Sequence, residues 1–429
     1  MKQSIANISV AKLCLIAAAS IIANGSQAAD IRMNGFLSVG GGLVTDAGKA
    51  GDGQGNEVDA TYEADVVTNG VYDDDISFRP DSNYGLQITA DLSDGLTATG
   101  QITGNGGENF DAVISWAYVS YEIDKNWKLT FGRQRLPLFF YSNFIDVGYA
   151  YHWIRPPQDL SANDGDTFEG IKLRWTGSLN NWYITADGYY GSGVEEIVSP
   201  NFTTETTAED QHGIVLKVTH DWLTLRGTYS NADSHLLLPG VSFLNEDLEV
   251  QLEDDNPLNY SFYGLAGKAD FGNVFVVAEF TLGQPEDPVG VFSAVGPTNQ
   301  VTPATVSGGD TDSSWYISVG YRLGKFTPHI TYNEHTQDFI FSNYSPLNAP
   351  YTQSDFQNLR ETEQKSTAWT IGVRWDFHPS AAAKLEYYTR SDDSEDFYKN
   401  NAGPAGIFSQ GFGNSLEVDV LSFSLDVIF

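Results

Sequence analysis

Apolar side chains recur at every second position along this chain, and no helical stripe of Leu, Ala, Glu and Lys interrupts them. In GIKLRWTG, Ile171, Leu173 and Trp175 share one side while Lys172 and Arg174 share the other. In SSWYISVGYRLG, Trp315, Ile317, Val319, Tyr321 and Leu323 oppose Tyr316, Ser318 and Arg322. In STAWTIGVRWDF, Trp369, Ile371, Val373, Trp375 and Phe377 oppose Thr370, Gly372, Arg374 and Asp376. A period of two marks a strand with two different faces. Such runs predict sixteen strands, at about 31–45, 76–92, 95–104, 110–123, 127–135, 167–176, 181–190, 210–219, 221–231, 259–270, 273–283, 313–323, 325–336, 365–377, 381–392 and 415–429. Each is long enough for the roughly 9–11 residues of a tilted membrane strand.

The links between strands fall into two classes that alternate. Ser93-Asp94, Asp124-Lys125-Asn126, 177–180, His220, Gly272, Gly324 and His378-Pro379-Ser380 are tight turns. Gly, Asn and Asp suit them because they tolerate a left-handed backbone. Segments 46–75, 136–166, 191–209, 232–258, 284–312, 337–364 and 393–414 are long, polar and acidic, and only 105–109 is short among them. Short turns at one end and long loops at the other predict an all-β fold: a transmembrane antiparallel β-barrel of about sixteen strands. A soluble sandwich gives no reason for that alternation. A barrel in lipid turns its apolar face outward and keeps ionisable groups in a wet lumen. Trp127, Trp175, Trp182, Trp222 and Trp375 lie beside short turns, as an interfacial aromatic girdle requires.

The chain finishes LSFSLDVIF, where Leu421, Phe423, Leu425, Val427 and Phe429 alternate with Ser422, Ser424, Asp426 and Ile428. That strand is expected to pair with the first, because lipid tolerates no open sheet edge. Two N-terminal lysines, the apolar stretch 13–23 and Ser26-Gln27-Ala28 predict a signal peptide over 1–28, leaving 29–429 as one barrel domain. The single cysteine, Cys14, falls inside that peptide, so the mature chain has neither disulfides nor thiolate metal sites. A formal charge of −33 argues against nucleic acid as a partner.

With sixteen strands, alternating short and long links and a terminal Phe on an amphipathic strand, the mature chain resembles the sixteen-stranded general porins of Gram-negative outer membranes. The resemblance implies an outer-membrane location, a water-filled channel for passive diffusion of ions and small hydrophilic solutes, contact with outer-membrane lipid, and a homotrimer. It also implies that the third long loop, 136–166, folds into the barrel as its constriction. That loop is both aromatic and acidic, an odd composition for a segment left in water. Tyr141, Phe144, Tyr149, Tyr151 and Trp153 are expected to pack on the inner wall, with Asp146, Asp159, Asp164 and Asp166 facing the pore. The segment LTFGRQR resembles the porin strand that delivers a wall arginine opposite the loop, which nominates Arg133. Strict alternation from Leu129 and Phe131 instead sends Arg133 and Arg135 to the lipid side. A bulge at Gly132 is the expected remedy.

The projected lumen face carries Arg32, Lys172, Arg174, Lys217, Arg226, Lys268, Arg322, Arg374 and Lys384. Opposed to loop acids, these bases would set a transverse field across the pore. Alternatively they pair with lumen acids such as Asp187, Asp270, Glu279, Asp376 and Glu386 and hold the barrel in shape. Acidic runs such as Asp73-Asp74-Asp75 and Glu253-Asp254-Asp255 favour cations at the outer vestibule, whereas the basic wall favours anions. No nucleophile elbow or zinc-binding helix motif is present, and no enzyme activity or cofactor is expected. Asp52 to Glu57 and Asp164-Gly165-Asp166 offer oxygen ligands but complete no metal-loop pattern. Two other functions stay open: a solute-specific channel with a site at the constriction, and a structural or adhesive barrel.

Overall fold

The computed structural model describes residues 30–47, 49–51, 57–59, 62–63, 71–157, 167–199, 202–237, 241–244, 250–251, 258–285, 290–294, 305–342, 359–392 and 417–429. The expected signal peptide therefore lies outside the described residues. Sixteen strands build the wall: β1 Asp30–Ala47, β2 Asn83–Ser93, β3 Leu96–Asn105, β4 Val113–Glu122, β5 Trp127–Arg135, β6 Thr167–Leu179, β7 Trp182–Ser199 and β8 Phe202–His220. They continue as β9 Leu223–Leu237, β10 Leu258–Asp270, β11 Val274–Pro285, β12 Thr305–Tyr321, β13 Phe326–Ser342, β14 Leu359–His378, β15 Ala381–Asp392 and β16 Glu417–Ile428. Each pairs antiparallel with its neighbours in sequence, and β1 also pairs with β16, from Phe36↔Ile428 to Ala47↔Val418. The sheet is closed.

Tight turns set the periplasmic end. Asn180 and Asn181 join β6 to β7 with φ of 47° and 67°, the two left-handed residues that a two-residue hairpin of matching twist needs. At the other end several strands run well past the expected limits. The β8 strand starts at Phe202 rather than near 210, and β12 at Thr305 rather than near 313. Beyond the bilayer both faces of a hairpin meet water, so FTTETTAED carries no apolar alternation to announce a strand. By contrast, β2 begins at Asn83 instead of near 76. Residues before it still edge the wall, since Ser77 bridges Gly42 and Val44 N–H donates to Asp73 O at 2.7 Å.

Burial is inverted relative to a soluble protein. On the outer face Ile214 is 62% and Ile371 56% exposed, while inward Ser318 and Ser422 are completely buried. Along β16, Leu421, Phe423 and Leu425 are exposed, whereas Ser422, Ser424 and Asp426 are buried. Trp127, Trp222 and Trp375 stand exposed beside the short turns, Trp222 stacked on Phe271 with ring centroids 5.1 Å apart. The apolar core lies inside the lumen, between the wall and segments folded into it. One cluster joins Tyr141, Tyr151 and Trp153 to Phe275, Val277 and Tyr316, and another joins Leu136 and Leu138 to Phe168, Tyr189 and Phe262.

This inversion sets opposite tolerances for charge on the two faces. Ile371→Arg is expected to destabilise the barrel by about 2–4 kcal/mol, as for an arginine near the bilayer midplane. Lys217→Gln, on the inward face, is expected to stay within about 0.5 kcal/mol of the parent. Urea midpoints read from heat-modifiable gel mobility in lipid vesicles check both; equal effects would contradict the assigned faces.

Candidate functional site

Segment 136–157 leaves the end of β5, crosses the lumen and is fastened to the far wall, with short 3-10 turns at Ser142–Phe144 and Gly148–Ala150. Its polar backbone groups need partners there, and the wall supplies charged ones. Arg226 on β9 donates to Leu138 O at 2.7 Å and also to Pro137 O. Glu279 on β11 accepts Phe140 N–H at 2.7 Å. Arg374 on β14 donates to Tyr149 O and Tyr151 O, both at 2.6 Å. From β15, Lys384 donates to Gly148 O at 2.7 Å and to Trp153 O, and pairs with Asp426 at 2.9 Å. Glu386 accepts Ile154 N–H at 2.8 Å. Gly148 lies so close to β1 and β16 that a Cβ would strike Ser38 and Asp426.

Side chains complete the seat. Trp153 Nε1–H donates to Thr331 Oγ1 at 2.7 Å, and the His152 ring meets Ser318 Oγ at 2.8 Å. Burial, reinforced by the neighbouring His329, holds His152 well below the usual histidine range, so the ring is neutral. Tyr149 OH donates to Pro379 O at 2.8 Å, which carries the loop down to a periplasmic turn. At its far end Arg155 donates to Asp81 at 2.5 Å and to Ser422 at 3.2 Å. Asp81 also accepts the hydroxyl of Tyr72, whose ring packs with Val44, Val418 and Val420. The first long loop is thereby tied to the third.

The expected site residues divide between several tasks. Arg226 and Arg374 anchor the loop. Arg174 grips Asp187 at 2.6 and 2.7 Å, Arg322 grips Asp270 at 2.8 and 2.7 Å, and Arg32 pairs with Asp91 at 3.0 Å. Lys172 and Lys217 occupy inward positions, opposite Thr130 on β5 and Arg226 on β9 respectively. Asp159, Asp164 and Asp166 lie outside the described residues, as do residues 52–56 of the first acidic turn.

Arg133 differs from expectation. Gly132 does adopt φ of 118°, yet the pairings run through it without a shift, Tyr118↔Gly132 on one side and Gly132↔Gly170 on the other. Without an inserted residue the alternation persists. Arg133 stays on the face of Phe131 and Ile171, where Glu169 neutralises it across the strands at 3.2 Å. Arg135, last in the strand and still opposite Thr167, is buried and pairs with Asp146 of the loop. The arginine that meets a loop acid is therefore Arg135 rather than Arg133. Sequence patterns missed Arg155 and Asp81, which sit in irregular segments, and Tyr72, which ends a two-residue strand too short to show a periodicity.

Lys384→Met combined with Asp426→Asn removes the ammonium that binds two loop carbonyls without stranding its carboxylate. The variant is expected to show larger and noisier single-channel current than the parent in planar bilayers. A quiet, unchanged trace would mean that the other anchors hold the loop alone.

Comparison with known proteins follows this geometry. Among curated proteins no sequence matches. Several solved structures share the fold at 11–12% identity. They include Salmonella typhi OmpF in complex with daunomycin (11% identity, TM-score 0.52, covering 94% of this chain and 98% of that one). The anion-selective porin from Comamonas acidovorans is similar at 12% identity and TM-score 0.51, covering 94% and 100%. The outer membrane channel DcaP of Acinetobacter baumannii is similar at 12% and 0.50, covering 94% and 99%. The Gram-negative porin family model matches residues 14–396, most of the chain, and with a closed sixteen-stranded barrel narrowed by its third long loop, this protein belongs to that family.

Proposed function

We propose that this outer-membrane channel passes ions and small hydrophilic solutes between the inserted loop and the wall formed by β1 to β8. The observation that carries it is the grouping of the loop's charged backbone anchors on one sector of the wall. Its anchors Arg226, Glu279, Arg374, Lys384 and Glu386 all lie on β9 to β15, and the opposite sector carries polar inward side chains such as Gln87, Gln101, Thr130 and Lys217. Of the proposed pore-lining set, Arg135, Asp146, Lys172, Arg174 and Lys217 are the residues that face this passage. The channel is non-enzymatic and works as a homotrimer in outer-membrane lipid. Small residues Ala98 and Gly100 on the outer face of β3 suit close contact between subunits, whereas Gly35 on β1 is covered by the ring of Phe429.

Ion preference is weak because two sets of charge oppose each other. Wall bases are largely neutralised by paired acids or by loop carbonyls, which leaves inward lysines such as Lys172 and Lys217, without a salt bridge among the described residues, to press for anions. The formal charge of −33 tips the balance toward cations. Purified, refolded protein in a planar bilayer under a KCl gradient tests this. Discrete conductance steps in threes with a small cation-selective reversal potential are expected, and a correctly inserted but silent protein would overturn the diffusion reading. Lys172→Gln with Lys217→Gln is expected to move the reversal potential further toward cation selectivity. An unmoved potential would place those lysines off the ion path.

A further inference from the structure

Four neighbouring strands place one uncharged side chain each at the same level of the lumen. Asn34 on β1 is opposite Gln87 on β2, Gln87 is opposite Gln101 on β3, and Gln101 is opposite Trp116 on β4. Gln101 Nε2–H donates to Gln87 Oε1 at 3.3 Å, which ties the middle of the row together. The row forms one side of a cavity of about 540 Å³, with Asn143 and Val147 of the inserted loop also lining it. Every side chain lining this space is uncharged, unlike the anchoring sector across the lumen. The volume falls within the about 300–1,000 Å³ typical of small-molecule sites.

Two polar atoms in the row lack a hydrogen-bond partner. Gln101 is 6% exposed, and its Oε1 accepts nothing; on the adjacent strand the buried Nε1–H of Trp116 donates to nothing. Such groups are costly to leave unmade, so they point to a ligand that completes them. The pair offers one acceptor and one donor. A metal cation would leave the indole unpaired, and a simple anion would leave the carbonyl unpaired. A hydroxyl group donates and accepts, and satisfies both, taking the place of a water that does the same when no solute is bound. Asn34, Gln87 and Asn143 add further donors and acceptors for neighbouring hydroxyls.

We propose that the Asn34–Gln87–Gln101–Trp116 row is a binding subsite for neutral polyhydroxylated solutes, polyols or small saccharides, on their way through the channel. It rests on the diffusion reading for its purpose but not for its test. Calorimetric titration of the refolded, detergent-solubilised protein uses sucrose as probe, with a polyethylene glycol dimethyl ether of similar radius as the control, since its ether oxygens accept but it has no hydroxyl to donate. Saturable sucrose binding is expected, with none for the glycol. Gln101→Met removes the acceptor and Trp116→Phe the donor; made separately, each is expected to weaken binding about three- to tenfold. Absence of sucrose binding, equal binding of sucrose and glycol, or unchanged affinity in both variants would overturn the subsite. The KCl conductance of the same preparations is read independently. A protein that conducts without binding sucrose loses the subsite and keeps the diffusion reading, and one that binds without conducting does the reverse.

Discussion

A bilayer core offers no water to a backbone amide, so every N–H and C=O at membrane depth must find its partner within the protein. In this chain that demand is met by closure. The β1 strand carries two neighbours, β2 on one edge and β16 on the other, and the ladder from Phe36↔Ile428 to Ala47↔Val418 leaves no free edge along the seam. Once the ring is closed, the two faces of every strand acquire opposite surroundings, lipid outside and lumen inside. The exposure of Ile371 and the burial of Ser318 follow from that one constraint.

Closure also creates a problem that the third loop resolves. A barrel of sixteen strands encloses more space than its own inward side chains fill. The loop enters that space with its own aromatic core, Tyr141, Tyr151 and Trp153 against Phe275 and Tyr316. Its backbone would be left unpaired there without charged wall residues to receive it. Arg226, Arg374 and Lys384 therefore act on loop carbonyls, while Glu279 and Glu386 act on loop amides. Charge that a linear reading assigns to the pore field is largely consumed in holding the plug of the pore to one side. The passage is left to the opposite sector, whose inward side chains include a row of neutral amides.

Much of this was legible in the sequence. Period-two runs such as WTIGVRWDF located the lipid-facing strands, because there the two faces of a strand meet different solvents and the pattern must alternate. The same logic failed where both faces meet water, so the outer ends of β8 and β12 went unread. The resemblance to porins, with an aromatic and acidic composition, singled out segment 136–166 for the lumen, but its charged wall anchors lie 88 to 236 residues away in the chain, and no local pattern encodes such distances. Arg133 shows the limit most clearly. A bulge was expected at Gly132, yet the register on both sides of that glycine stayed continuous despite its positive φ, and Glu169 made the outward arginine tolerable.

By itself the sequence determined the strand count, which face of each strand meets lipid, and which end carries the long loops. Those properties depend on the identity of neighbouring residues and on the contrast between water and hydrocarbon. Tertiary structure alone decided that Arg135 rather than Arg133 meets Asp146, that Lys384 and Arg374 serve as anchors, and that Gln101 and Trp116 stand side by side with unpaired polar atoms. Those outcomes depend on register and on contacts across the lumen, where residues far apart in the chain compete for the same carbonyls and carboxylates.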